Sequence, residues 1–394
     1  MKILLVNHFP LRGSGSGTYV ADIAKNLTKR NHEVCIIMPE NTTDIEEIEN
    51  VKIHPVFFTR DEKIEGALDF NFACMDPHPR SNLLYEQMTA EQEEQYVDAF
   101  RKAIKLEIQE FKPDVIHSQH IWLISSVLKE FDIPYIITSH GAEFITYKKT
   151  DRFDKYGFKA MDGAKKVIVI SNDNMEEVSK KFPEATNKLE LVKNGYNSKE
   201  FYMEDVNKTE ILKKFSINKN FEKIILFVGR VTQLKGLDVL LKAAKIYEKD
   251  NIVTLIAGDG EYRQALNKQK EELGLKNIIF LGSRAHSELR ELYNIADVFV
   301  LPSRKEAMPL VAIESLACGT PAVVTNHSGM DQIITKDVGL VFEMDNEKML
   351  AEKIEMILNK EVVFDKKELA TYAKSRYSID FLVDKLLEIY NEIK

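Results

Sequence analysis

At 394 residues the chain is too long for one hydrophobic core, and two domains of roughly 150–200 residues are expected. Its make-up, 44% hydrophobic and 29% charged with a net charge of −8, is that of a globular enzyme and argues against a nucleic-acid partner. No apolar stretch approaches the roughly 18–20 residues needed to span a bilayer, so no stable membrane association is expected.

In chain order, KILLVN (2–7) reads as a first strand. It is too short for a signal peptide and is followed at once by His8, Arg12 and glycines, so a cytoplasmic protein is expected. The run GSGSG (Gly13 to Gly17) predicts a flexible loop ahead of a helix from Tyr19 to Lys29. EVCIIMP (33–39) and KIHPVFF (52–58) are strands and Ala90 to Phe111 a long helix; DVIHSQH (114–120), a helix, PYIITSH (134–140), a helix near Lys159, KKVIVIS (165–171) and LELVKNG (189–195) follow. After a polar linker with a small helix (197–220), a second alternation begins with KIILFVG (223–229). It continues through a helix from Leu237 to Lys249, NIVTLIAG (251–258), a helix from Arg263 to Leu273, NIIFLG (277–282), ADVFVLP (296–302) and PAVVTN (321–326). Strands alternating with helices argue for parallel sheets covered on both faces. The expected fold is α/β, with two Rossmann-like domains (1–195 and 196–378) facing each other across a cleft and a last helix (379–394) packing back across the junction.

One segment breaks the pattern. Residues 60–94 are irregular and carry three basic against nine acidic side chains, which accounts for the net −6 of the first 195 residues. Such a segment reads first as a solvated acidic loop, and its charge disfavours an anionic membrane surface. Cys35, Cys74 and Cys318 are scattered, with no zinc-ligand spacing, and are expected to be reduced. Among 23 aspartates no two lie two apart, so a D-x-D metal clamp is missing and neither a metal nor a cofactor is expected.

Chemistry concentrates at predicted strand ends. Glu306 and Glu314 are separated by seven residues in EAMPLVAIE, after the strand ending at Pro302 and Ser303. Taken alone, the two would be surface charges of an amphipathic helix. In a strand–loop–helix–strand unit, however, they fall at the ligand-binding end, and the peptide groups of Ala307, Met308, Pro309 and Leu310 lie at a helix N-terminus that attracts anions and hydroxyls. VGRVTQLKG places Arg230 and Lys235 five apart just after Gly229, suited to a departing diphosphate. His140 ends a strand in TSHGAEF, and His117 and His120 end another in HSQH, as candidates for the acceptor side. Gly15 and Gly17, with Val20 and with Glu40 at the end of the second strand, half-match a dinucleotide fingerprint. The five-residue spacer HFPLR puts the glycines too far from the strand, so a nicotinamide enzyme ranks last and a loop closing over a diphosphate or acceptor is preferred.

Together these segments resemble the retaining GT-B glycosyltransferases of the glycogen-synthase-like family 4, in the E-x7-E element, the G-R-x(4)-K-G element and the TSHG histidine. The resemblance spans nearly all of residues 1–375, with its strongest motifs between 225 and 330. It implies that Glu306 touches the donor sugar, Glu314 holds the nucleotide ribose, Arg230 and Lys235 straddle the diphosphate, and His140 lies near the transferred sugar. It further implies that Arg284 frames the base beside the turn at Gly258 and Gly260, and that Gly15, Gly17, Gly229, Met308, Pro309 and Leu310 complete the donor site. The NGYN stretch departs from the family's NGV-D, with Asn197 where an aspartate is usual. The expected activity is metal-independent, retaining transfer of a hexose or hexosamine from a nucleotide sugar, UDP-Glc or UDP-GlcNAc foremost. The expected acceptor is a hydroxyl of a soluble molecule, with an amino-sugar or aminocyclitol favoured by the acidic segment. A polysaccharide or lipid-linked acceptor, and a sugar-nucleotide epimerase on the same fold, are the rival readings.

Overall fold

Two all-parallel sheets organise the chain in the computed structural model, which describes residues 1–60, 64–306, 308–327, 330 and 333–394. The first sheet holds β1 (Lys2–Val6), β2 (Glu33–Glu40), β3 (Val51–Phe57), β4 (Val115–Gln119), β5 (Tyr135–Ser139), β6 (Lys166–Val169) and β7 (Leu189–Leu191). The second holds β8 (Lys223–Val228), β9 (Ile252–Ala257), β10 (Ile278–Gly282), β11 (Val298–Leu301), β12 (Ala322–Thr325) and β13 (Gly339–Phe342). Their orders are β3-β2-β1-β4-β5-β6-β7 and β10-β9-β8-β11-β12-β13. Central strands such as Ile3–Val6 and Ile224–Phe227 are fully buried, which is why they read as continuous apolar runs: helices cover both faces of each sheet. In each sheet the order reverses once, between β1 and β4 and between β8 and β11, and the crevice outside the carboxyl ends at such a point is where doubly wound folds bind ligands.

The chain divides into two units, Met1–Asn194 with Leu382–Lys394, and Gly195–Phe381. Leu382–Lys394 group with the first unit, where Tyr390 is buried and its hydroxyl lies 2.7 Å from His117 Nδ1. Within the second unit, Gly195 sits where a Cβ would come within 2.7 Å of the Ile379 Cα. That close approach lets Tyr196 bridge the 377–379 segment through Tyr196 N–H to Tyr377 O (2.8 Å) and Ile379 N–H to Tyr196 O (2.9 Å). Asn197 Oδ1 accepts from Lys199 N–H at 3.1 Å, the side-chain turn an aspartate would make, so the departure from NGV-D leaves this turn intact.

Two expectations change. The glycine run is not a flexible loop: the helix starts at Gly15 and runs to Thr28, with Ser14 as N-cap accepting from Gly17 N–H at 2.9 Å. Gly17 is required for packing, since a Cβ there would stand 2.2 Å from Pro10 O. The acidic segment is not merely a solvated loop either. Phe70, Phe72, Cys74 and Tyr85 from it are buried with Phe58, Tyr96 and Phe100 in the first unit's core, while residues 61–63 lie outside the described residues.

Candidate active site

In the second unit, the residues singled out from the sequence gather at the carboxyl ends of β8 and β11. After β8 the chain turns through Gln233–Lys235 and closes on Gly236, whose φ is +65° and whose missing Cβ would lie 1.9 Å from Pro302 O. Only glycine permits that approach. The turn therefore presses on the end of β11 and brings Lys235 Nζ to 2.5 Å from Glu306 Oε1, which also accepts from Ser303 Oγ at 2.8 Å. A second tie fixes the same two loops: Arg304 grips Asp238 with both terminal nitrogens (3.0 and 2.7 Å), donates to Gln233 O (2.6 Å) and reaches Asp345 with Nε (2.7 Å). Bidentate guanidinium–carboxylate pairing of this kind fixes orientation as well as distance. Arg230 is exposed and its side chain has no partner among the described residues.

Ala307 lies outside the described residues; beyond it, Met308 is half-buried and Pro309 caps the Leu310–Ala317 helix. Glu314 projects from that helix and accepts from Tyr293 O–H at 3.2 Å. Burial raises its pKa to about 7, against the opposing effect of the tyrosine hydrogen bond. Gly258 (φ +140°) and Gly260 owe their identity to backbone crowding: a Cβ at Gly258 would sit 1.8 Å from Gly229 O, and one at Gly260 2.4 Å from Val231 O, whereas a Cβ at Gly229 (φ +153°) would meet only the Phe227 ring, at 3.3 Å. These glycines hold the β8 and β9 loops together, so the space they leave is filled by carbonyl groups rather than held open for a base. Arg284 turns back to Leu281 O, pairs with Glu288 at 3.6 Å and stacks its cation over Phe215.

In the first unit a polar cluster forms at the ends of β1, β4 and β5. Glu143 is fully buried and accepts from Ser139 Oγ (2.7 Å), His120 Nδ1 (3.0 Å) and Ile121 N–H (3.3 Å). Burial alone would raise its pKa, but His120 and the other donors outweigh that and hold it at about 2. His120 takes a left-handed φ of +65° and its ring lies 4.9 Å from that of His140 and 5.8 Å from that of His8. His140 Nε2 donates to Gln119 Oε1 at 2.9 Å, and burial together with His120 lowers its pKa to about 3. His140 is thus a neutral imidazole whose Nδ1 can accept a hydrogen bond. His8 Nδ1, His120 Nε2 and Gln119 Nε2 are buried without partners among the described residues, which leaves hydrogen-bonding capacity for a hydroxylated ligand.

His117 does not belong to this cluster. It is fully buried, bonded through Nδ1 to Tyr390 of the C-terminal segment and through Nε2 to Thr138 Oγ1 of β5 (2.7 Å), so both nitrogens are occupied. The acid at the end of β2 is likewise spoken for: Glu40 is buried and paired with Arg80 at 2.7 Å, which removes it as a free ribose ligand.

Comparison with known proteins places these features in one family. The profile described as Glycosyl transferases group 1 matches residues 207–376, and that of Glycosyltransferase Family 4 matches residues 81–200. The chain belongs to the group 1 glycosyltransferases. An uncharacterized glycosyltransferase of Methanocaldococcus jannaschii is 29% identical, over 99% of this chain and 98% of its own length. A D-inositol 3-phosphate glycosyltransferase of Corynebacterium urealyticum is 28% identical over 71% of this chain and 72% of its own. Anabaena HepE, solved in complex with UDP, superposes with a TM-score of 0.74 at 16% identity over the whole of both chains, and it has the same GT-B fold.

Within this glycosyltransferase, the structure brings Lys235 to Glu306, and His140 to His120, as the sequence alone could not. Arg304, Asp238, Glu143, Gln119 and His8 were missed. Glu143 lies in the quoted TSHGAEF and His8 follows the first strand, so strand-end position was a usable signal for both; nothing in the sequence pairs Arg304 with Asp238. Among the described residues no helix is long and apolar enough to cross a membrane.

Proposed function

We propose that this glycosyltransferase moves a hexose or hexosamine from a UDP-sugar, UDP-Glc or UDP-GlcNAc, to a hydroxyl of a soluble cytoplasmic acceptor, with retention of configuration and without a metal or other cofactor. The observation that carries the reading is the Lys235–Glu306 pair, clamped by Arg304 and Gly236 at the switch point of the second sheet, with Arg230 exposed in the same β8 loop and without a side-chain partner among the described residues. Departure of a nucleoside diphosphate puts negative charge on phosphate oxygens, and preorganised cations stabilise that charge without reorganising at the moment of reaction. Arg230 and Lys235 supply two. Glu306, largely buried and already hydrogen-bonded through Ser303, is placed to accept from a hydroxyl of the donor sugar, and Glu314 from the ribose hydroxyls. Neutral His140 accepts from a hydroxyl of the transferred sugar through Nδ1. The UDP in the HepE structure supports the choice of nucleotide.

Retention follows from a same-face route in which the leaving phosphate takes the acceptor proton, so no protein nucleophile is needed. The test is a panel of UDP-, GDP- and ADP-sugars with mixed hydroxyl acceptors in EDTA, read by nucleoside diphosphate release and by the anomeric configuration of the product. Transfer from a UDP-sugar with retained configuration is expected. An absolute requirement for Mg²⁺, an inverted product, or sugar-nucleotide interconversion without any acceptor would overturn the reading, the last in favour of an epimerase.

A further inference from the structure

In the first unit a chain of hydrogen bonds runs from a backbone amide to a histidine, and each hydrogen in it has a forced direction. Ile170 N–H donates to Asn174 Oδ1 (3.3 Å), which orients the amide so that Asn174 Nδ2 donates to Ser139 Oγ (2.9 Å). The Ser139 hydroxyl then spends its own hydrogen on Glu143 Oε1 (2.7 Å), to which Ile121 N–H also donates (3.3 Å). That leaves Glu143 Oε2 for His120 Nδ1, 3.0 Å away. Burial acts to raise the Glu143 pKa, but His120 and the other donors hold it at about 2, so the carboxylate has no hydrogen to give and the one in this contact sits on Nδ1.

The His120 backbone is tied down as well. Its φ of +65° is a left-handed conformation uncommon outside glycine, and it is kept by His120 N–H donating to Thr138 O (2.7 Å) and Ser125 Oγ donating to His120 O (2.6 Å). Across the ring, Nε2 is buried without a partner among the described residues. His8 is fixed in the opposite sense: its Nε2 accepts from Ile124 N–H (3.1 Å), so its hydrogen is on Nδ1, which is also buried without a partner among the described residues. An acceptor nitrogen and a donor nitrogen on rings 5.8 Å apart suit hydroxyl groups, which both donate and accept.

We propose that Glu143 is a positioning residue for sugar recognition: by keeping the His120 hydrogen on Nδ1, it leaves the Nε2 lone pair to accept from a hydroxyl of a bound sugar. The transferase reading supplies the two sources of that hydroxyl, the transferred hexose and the acceptor; the direction of the hydrogen-bond chain does not depend on it. Glu143→Gln keeps the size of the side chain and inverts the contact. Its amide oxygen stays where Ser139 and Ile121 donate, so its NH₂ group faces Nδ1 and the ring hydrogen moves to Nε2. Nε2 then donates, and a fluorine, which cannot donate, is no longer penalised against a hydroxyl.

Heteronuclear NMR of the histidine nitrogens in the full chain, at about pH 8 and so above the ordinary histidine range, reads this directly. The His120 signals are assigned by their loss in His120→Asn. Expected are hydrogen on Nδ1 and a bare Nε2 in the wild type, and the reverse in Glu143→Gln. Nε2 should move toward the protonated position when UDP-glucose or UDP-GlcNAc binds, which assigns the hydroxyl to the transferred sugar, or when glucose or glycerol binds, which assigns it to the acceptor. Among deoxyfluoro analogues of the ligand that moves it, one should bind the wild type at least about tenfold more weakly than the parent, a discrimination that Glu143→Gln loses and Glu143→Asp partly keeps. A carboxylate with a merely structural role would weaken parent and analogue alike when replaced. Hydrogen on Nε2 in the wild type, no response to any of these ligands, or fluorine discrimination unchanged in Glu143→Gln would overturn the proposal. UDP binding and sugar transfer with a silent His120 would sink it and leave the transferase reading standing; a His120 response to glucose without any binding of UDP or UDP-sugars would sink the transferase reading and leave the positioning role of Glu143 standing.

Discussion

Glu314 is a residue at which binding and stability pull apart. Its folded pKa of about 7 lies above the ordinary 4.5, chiefly through burial. A raised folded pKa contributes stability that is complete below the unfolded pKa and is lost as pH climbs from about 4.5 through 7. Glu314→Gln is therefore expected to melt above the wild type at pH 8, by a difference worth about 2–3 kcal/mol, and to converge with it toward pH 5. The same variant should bind UDP at least tenfold more weakly, since an amide cannot accept as a carboxylate does. Thermal melts across that pH range, with UDP titrations at pH 8, decide both halves; a Gln variant less stable at pH 8 would show that the carboxylate is not desolvated there. Arg230 and Lys235 make a second contrast. Replacing either by Ala should cut turnover by about 10² or more, with added Mg²⁺ restoring little. Only Lys235→Ala should also cost stability, about 1–3 kcal/mol, because it strips a largely buried Glu306 of its cation. A larger melting loss in Arg230→Ala than in Lys235→Ala would contradict this division.

Among the elements, glycines report where loops are forced together. Gly15 stands in the first turn of its helix with nothing within 4 Å of the point a Cβ would occupy, so Gly15→Ala should stabilise the fold by about 0.4–1 kcal/mol. Gly17→Ala, two residues on, should destabilise by more than about 2 kcal/mol, since the added carbon meets Pro10 O. Gly236→Ala combines a positive φ with the collision at Pro302, and it moves the turn that bears Lys235. It should lower turnover and melting temperature together, whereas Gly17→Ala should act on melting temperature first. Chemical denaturation of the three variants beside donor turnover separates these outcomes. From sequence, Gly15 and Gly17 looked alike as parts of one flexible loop, and Gly236 was only the last residue of the G-R-x(4)-K-G element. What distinguishes them is the atom that a Cβ would strike, and that atom belongs to a segment brought close only by folding.

For the whole molecule, the C-terminal segment shows how a distant stretch of chain completes a core. His117 and Tyr390 are separated by 273 residues and are both buried. Tyr390→Phe leaves His117 Nδ1 without its partner and should cost about 1–3 kcal/mol, with faster amide exchange in residues 382–394 as the measured sign that the segment has loosened. Unchanged exchange would show that apolar packing alone holds it.

The alternation of strands and helices, the two Rossmann-like units, the E-x7-E and G-R-x(4)-K-G elements and hence the family were all legible along the chain. These are local signals: period, strand-end position and spacing survive in one dimension because each element's burial is written along its own residues. Which polar residues work and which are tied up was settled by folding. It joined Arg304 to Asp238 across 66 residues and Lys235 to Glu306 across 71, spent His117 on Tyr390, and drew Glu143 and His8 into the cluster around His120. The physical reason is that hydrogen bonds and ion pairs act over about 3–4 Å of space, whatever the distance along the chain; net charge and residue type can be summed from a sequence, but the direction a charge faces cannot.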